Sequence, residues 1–132
     1  MGKGYYSLSS PVWSNFGLGR GFPISCYNSH LSDNLPSIMY AQAEVGMMSK
    51  VGGGTSGYFG DESSGAVHFM NLFESVTDIV SQGGVRRGRF APYLPVEHSD
   101  ILEFLEIGTE GNEIQDLTYG VTVTDAWMIE MI

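Results

Sequence analysis

Cysteine is nearly missing from this chain: Cys26 stands alone among 132 residues. A single thiol excludes a disulfide within the chain and any cysteine-rich metal site. It points instead to a reduced, cytoplasmic setting. Basic residues are scarce as well, six against fifteen acidic ones, for a net charge of −9. That balance argues against general nucleic-acid binding, where neutralising phosphates dominates affinity. A phosphate ligand would have to be caught locally, by clustered arginines and backbone amides. No apolar run approaches the ~20 residues needed to cross a bilayer, so no membrane span is expected. The opening MGKGYYSLSS has no apolar core of the secretory kind. The three histidines, His30, His68 and His98, lack ligand spacing, and no metal site is expected from them.

What is present describes a folded α/β chain. Hydrophobic residues make up 42% and charged residues 16%, a composition that is neither disordered nor membrane-spanning. A chain of this length predicts one domain that hides roughly two-thirds of its unfolded surface. The eighteen glycines cluster at 17–21, 52–60, 83–88 and 108–111, which reads as turns between regular elements.

Residues 1–23 show no sustained periodicity and read as an irregular arm. From 24 to 132 strand and helix patterns alternate. Ile24 to Asn28 is a short strand. Asp33 or Asn34 can cap a helix running to about Lys50, with Ile38, Ala41, Val45 and Met48 along one side. Gly52-Gly53-Gly54 stops it, and Thr55 to Phe59 forms a second strand. A long helix follows, capped by Ser63 or Ser64 and ended by Gly83-Gly84. Its apolar face is read as Phe69, Leu72, Phe73, Val76, Ile79 and Val80. Phe90–Val96 is a third strand. Ser99 caps a short helix, Asp100 to Ile107, with Ile101, Leu102 and Leu105 inward and Gly108 closing it. Leu117 to Val123 alternates at strand spacing, and Asp125 caps a last helix, Ala126 to Ile132. Four β-α units of this kind favour a parallel sheet with covering helices and open edges. Such an arrangement looks like part of something larger.

Residue chemistry alone leaves several readings open. Arg86, Arg87 and Arg89 place half of the six basic residues in a glycine-rich turn that feeds a strand. That turn can hold an anion, although a solvated hinge is the simpler reading. A lone strand cysteine is most simply a small buried hydrophobe. At a strand end facing a cleft it can be redox-active only with a second cysteine, and Cys26 has none in this chain. Gly52-Gly53-Gly54-Thr55 lacks the lysine of a phosphate-binding loop. The acidic residues read as solvated faces, and the seven methionines as core filler.

Taken together and in order, several segments resemble the catalytic large (α) subunit of ribonucleotide reductase. They are PISCYNS at 23–29, KVGGGTSGYFG at 50–60 and the run at 62–107 containing SQGGVRRG and later HSDILEFL. EGN at 110–112 and LTYGVTV at 117–123 also fit. The family fold is a ten-stranded α/β barrel made of two parallel five-stranded halves. The resemblance implies that this chain is a partial barrel, about four parallel β-α units of the first half. It implies that Cys26 is one partner of the redox pair that reduces the ribose 2′ position. Ser25, Ser10 and Gly54 would contact substrate. Gly83, Gly84, Arg86 and Arg87 would belong to the loop relaying effector identity to base choice. Asp33 and the helix after it would lie where a deoxynucleoside triphosphate effector binds and two α subunits pair.

The segment between Gly60 and Ser63 is shorter than the family's effector-binding loop. The radical-bearing cysteine and the second redox cysteine of the family are absent from the sequence. The expectation is therefore a reductase α-subunit piece, inactive alone and needing a complementary chain. It would bind no cofactor itself, the radical coming from a partner metal subunit or adenosylcobalamin. The competing expectation is a non-enzymatic nucleotide-binding or self-associating half-barrel module.

Overall fold

The computed structural model describes residues 3–19, 22–61, 65–80, 88–115 and 117–132. A short helix, α1 (Ser10–Asn15), interrupts the arm that the sequence suggests is irregular; Pro11 suits its first turn, where amides lack partners anyway. Then come β1 (Cys26–His30), α2 (Leu35–Lys50), β2 (Gly54–Tyr58), α3 (Ala66–Ile79), β3 (Arg89–Pro95), α4 (Ile101–Leu105), β4 (Gly120–Thr122) and α5 (Asp125–Glu130). The four strands are all parallel and lie in the order β1-β2-β3-β4. Each helical return thus steps one strand over in the same direction. Right-handed crossovers in such a series place every covering helix on one face of the sheet.

Burial along the strands follows this one-sided arrangement. Thr55, Gly57, Phe90, Pro92 and Leu94 are buried toward the helices, and the residues between them are not. The core is built on three phenylalanines. Phe73 of α3 stacks on Phe90 at 4.8 Å, and Phe59 meets both rings edge-on. Gly57 is required here, because a Cβ would sit 2.8 Å from the Phe90 ring and 2.9 Å from Leu31. Pro92 is tolerated in a central strand for a register reason. The Tyr93 carbonyl faces β2, where it accepts from Phe59 N, so the missing donor of Pro92 falls on the β4 side. Pairing with β4 begins only at Tyr93.

Local signals set most element ends. Asn34 rather than Asp33 caps α2, its Oδ1 accepting from Ser37 N at 2.9 Å. After α2, Gly52 takes φ +88° while Gly52 N donates to Ser49 O and Gly53 N to Met48 O, a paired closure of the helix end. Gly46 is buried within α2, where a Cβ would come 3.2 Å from Val76, so its helix cost allows α2 and α3 to approach.

Other sequence expectations need correction. β1 starts two residues later than predicted and β2 one residue earlier, because the register pairs Cys26 with Gly54. The inward stripe of α3 is Ala66, Val67, Met70, Phe73 and Thr77; Ile79 is 81% exposed and Leu72 37%. This helix is apolar on two sides; of the expected face Phe73 is buried and Phe69 packs against the core, so the inward stripe is rotated rather than opposite. The helix ends at Ile79, before Gly83-Gly84, and those glycines with Ser63 and Ser64 lie outside the described residues. In α4 Ile101 packs against the core as expected, but the fully inward residues are Phe104 and, just beyond the helix, Ile107, whereas Leu102 and Leu105 face out. β4 is only Gly120–Thr122, and α5 is capped by Thr124, which accepts from Trp127 N.

One long-range contact was invisible to local patterning. Asp100 does not belong to the interior of α4, nor is it there to be capped by Ser99. Its carboxylate accepts from the backbone N–H of Gly65 (2.7 Å) and Ala66 (3.1 Å), closing the start of α3. Ser99 instead donates its hydroxyl to Asp100. Burial works to raise the Asp100 pKa, but the Ala66 and Gly65 amides, Ser99 and His98 outweigh it and hold the carboxyl below its ordinary 3.8. A lowered folded pKa gives stability that is present above the unfolded value and lost as pH falls through the folded one. Asp100→Ala should therefore lower unfolding free energy by about 1–2 kcal/mol at neutral pH. In denaturant titrations the gap from the parent should close as pH drops below about 4. A gap that stays constant into acid would refute this role.

Candidate active site

Period-two alternation sends every second strand residue to the face without helices. The register arranges these residues in cross-strand rows. Cys26, Gly54 and Arg89 form the first row, and Asn28, Ser56 and Ala91 the second. His30, Tyr58, Tyr93 and Gly120 form the third. This face is polar, in contrast to the aliphatic and aromatic face beneath the helices.

The first row lies at the strand starts and is held by main-chain ties. Gly54 N donates to Ser25 O at 2.7 Å, and the Thr55 hydroxyl donates to Arg89 O at 3.0 Å. Cys26 is exposed, which sets aside the reading of a buried hydrophobe, and its Sγ lies 3.6 Å from Ser25 Oγ. Between thiol and arginine, Gly54 leaves space: among the described residues a Cβ there would meet only Ser25 O, at an ordinary 3.5 Å. In the second row Ser56 Oγ lies 3.0 Å from Asn28 Oδ1. In the third, His30 stacks on Tyr58 at 6.0 Å and pairs with Asp61 at 2.9 Å, and the Tyr93 ring covers Gly120. The His30–Asp61 pair is well exposed and contributes little to stability.

This geometry brings together Ser25, Cys26 and Gly54. Asp33 lies beyond the other end of β1, exposed, since Asn34 takes the capping role. Five strand residues separate the two ends by roughly 16 Å. Ser10 is the exposed first residue of α1, and no hydrogen bond ties it to the thiol row among the described residues. Gly83, Gly84, Arg86 and Arg87 lie outside the described residues, but Gly88, which follows them, adjoins the row at Arg89. A cavity of about 340 Å³ opens beside the start of β3, lined by Glu74, Asp78, Gly88, Arg89, Glu113 and Gln115 among others. Sequence reading missed Asn28, Tyr58 and Tyr93; counting strand positions by twos from Cys26 would have found Asn28.

Chemically, the row presents one accessible thiol beside a hydroxyl and an uncrowded backbone. A lone thiol can attack or bind. A reversible two-electron exchange with substrate needs a second thiol.

The chain is similar to known proteins of one family. The family described as ribonucleotide reductase, barrel domain, matches residues 24–131. The ribonucleoside-diphosphate reductase large subunit of Invertebrate iridescent virus 6 is 32% identical over 96% of this chain and 14% of its own length. The vitamin B12-dependent ribonucleoside-diphosphate reductase of Mycobacterium tuberculosis is 31% identical over 91% of this chain and 19% of its own. The solved Actinobacillus ureae class Id ribonucleotide reductase alpha subunit is 52% identical, with a TM-score of 0.89, over 98% of this chain and 25% of that one. The chain thus spans a quarter or less of the length of these relatives.

The open space at Gly54 yields a test. Because its backbone is ordinary strand and its surroundings admit a Cβ, Gly54→Ala should hold or raise stability by about 0.4–1 kcal/mol. A loss of more than about 2 kcal/mol in a denaturant melt would mean that packing, rather than access to the thiol row, demands glycine there.

Proposed function

Because the chain belongs to the ribonucleotide reductase large-subunit family and matches its barrel domain, we propose that it supplies the first part of that barrel and carries one of the two thiols that reduce the ribose. The observation behind this reading is the exposed Cys26 in one row with Gly54, on a face no helix covers. In a closed barrel that face becomes the interior. Two thiols oxidised to a disulfide release two electrons and two protons; with them the 2′ hydroxyl leaves as water and a hydrogen takes its place. Cys26 supplies one sulfur, and the other must come from outside this chain. Ser25 and Gly54 would lie against the substrate sugar, with Ser10 toward its phosphates.

The radical that starts the reaction would likewise come from elsewhere, either a metal-bearing partner subunit or adenosylcobalamin. One relative is named as vitamin B12-dependent, so both sources suit the family. The product, a deoxyribonucleotide, is a precursor for DNA replication in the cytoplasm. We read this stretch as one part of the barrel, working only together with the remaining barrel.

Self-association and effector binding form a second reading, supported by the outer face of the helix pair. Met39, Met47, Val76 and Val80 line an apolar groove of about 450 Å³ between α2 and α3. Such a surface favours covering by a second copy. A two-fold pair of antiparallel helices brings opposite ends of the two chains together. Asp33, before the start of α2 in one copy, would then approach the α3 end of its partner, and a deoxynucleoside triphosphate held there would act allosterically; Gly83, Gly84, Arg86 and Arg87, the other effector candidates, lie outside the described residues.

Mixing this chain with a fragment bearing the remaining barrel, a radical source and a ribonucleotide should yield deoxyribonucleotide. Cys26→Ser should abolish multiple turnover. Product formation undiminished by Cys26→Ser would overturn the reductive role. Calorimetry with deoxynucleoside triphosphates on Arg86→Ala and Arg87→Ala should show binding weakened at least tenfold, about 1.4 kcal/mol. Binding equal to the parent's would remove the effector reading.

A further inference from the structure

We infer that Gly88 is a positioning residue: it seats the start of β3, and with it the Cys26–Gly54–Arg89 row, against the closing turns of α2 and α3. The inference rests on the reading above only in taking Cys26 as the functional thiol.

A Cβ at Gly88 would lie 2.6 Å from the Thr77 carbonyl oxygen, 3.3 Å from Ser49 Cβ and 3.4 Å from Ser49 Oγ. The carbonyl is main chain near the end of α3 and cannot swing aside. Thr77 is itself buried, with its hydroxyl donated to Glu74 O at 3.0 Å. Ser49, on the opposite wall, is fully buried, and its hydroxyl has no hydrogen-bond partner among the described residues. An unpaired buried hydroxyl is costly and calls for an explanation. Here a small residue is needed where α2 meets the incoming strand, and serine meets that need while leaving its oxygen without a partner.

From Gly88 the path to the thiol is short and stiff. Arg89 is the next residue, its carbonyl accepts from Thr55, and Gly54 beside it donates to Ser25, the neighbour of Cys26. A displacement at Gly88 therefore reaches the thiol row through two hydrogen bonds. The same two helices form the outer apolar groove, so this contact joins the face available for pairing to the row that carries the sulfur.

The test compares Gly88→Ala with Gly46→Ala, which crowds the same helix pair only at a side-chain tip, Val76 Cγ1, 3.2 Å away. The readout is the native-state rate of Cys26 alkylation by iodoacetamide against pH, measured beside the denaturation midpoint. Gly88→Ala should change that rate about threefold or more, since thiol reactivity follows its immediate surroundings. Gly46→Ala should leave the rate unchanged, whichever way its midpoint moves. Equal rates in parent and Gly88→Ala would overturn the inference.

Should Gly88→Ala not fold, Ser49→Ala decides the matter. It deletes the unpaired hydroxyl, should be at least as stable as the parent, and loosens the same wall. An altered alkylation rate in it supports the inference, and an unaltered one refutes it. Thiol reactivity is read without turnover, so failure here leaves the reductase reading standing, and failure of turnover leaves this one standing.

Discussion

Strand order is the constraint on which the structure depends. Four parallel strands laid down one after another, each beside the last, give every return helix the same side of the sheet. An open sheet wound in both directions from its middle would have been covered twice. This one is covered once, and the consequences divide cleanly. The helix side takes the phenylalanines and supplies the apolar core. The other side takes cysteine, asparagine, serine, histidine and tyrosine, side chains poorly suited to a dry core but suited to the lining of a barrel.

Close approach holds the covered side together. Gly57 lets Phe90 and Leu31 come down onto β2, Gly46 lets α2 and α3 meet, and Gly88 brings β3 against both helices. At Gly57 and Gly88 a Cβ would come within 3.0 Å of a neighbour, whereas at Gly46 it would only crowd the tip of Val76 at 3.2 Å. Asp100 adds a polar clasp between distant segments, joining the start of α4 to the start of α3. The first row of the bare face is consequently anchored to the helix layer through Gly88, although no helix lies over it.

Much of this was legible in the residue order. The alternation of strand and helix, the glycine closure after α2 and the family motifs all point to the parallel α/β half-barrel that the structure has. Motifs carried Cys26 and Gly54 to one place because they sit at the starts of adjacent strands. Asp33 could not be placed the same way, since proximity across the sheet depends on which end of a strand a loop leaves. The inward face of α3 was misjudged because Leu72, Val76 and Ile79 are as hydrophobic as the stripe that is buried; only the neighbouring sheet distinguishes them. The role of Asp100 is a contact across 35 residues, and no local pattern encodes it. α4 and β4 lie where they were expected but are shorter, and the face of α4 was partly misread, as three to five residues carry too little periodicity to fix a face.

The central claim is that one side of this sheet is a packed core and the other an unfinished interior. Hydroxyl-radical footprinting, with the chain alone and then with the remaining barrel added, tests it most directly. The account predicts that Cys26, His30 and Tyr93 are oxidised readily in the isolated chain and protected on assembly, while Phe59, Phe73 and Phe90 are protected throughout. Protection of Cys26 and Tyr93 in the isolated monomer, equal to that of the three phenylalanines, would contradict it.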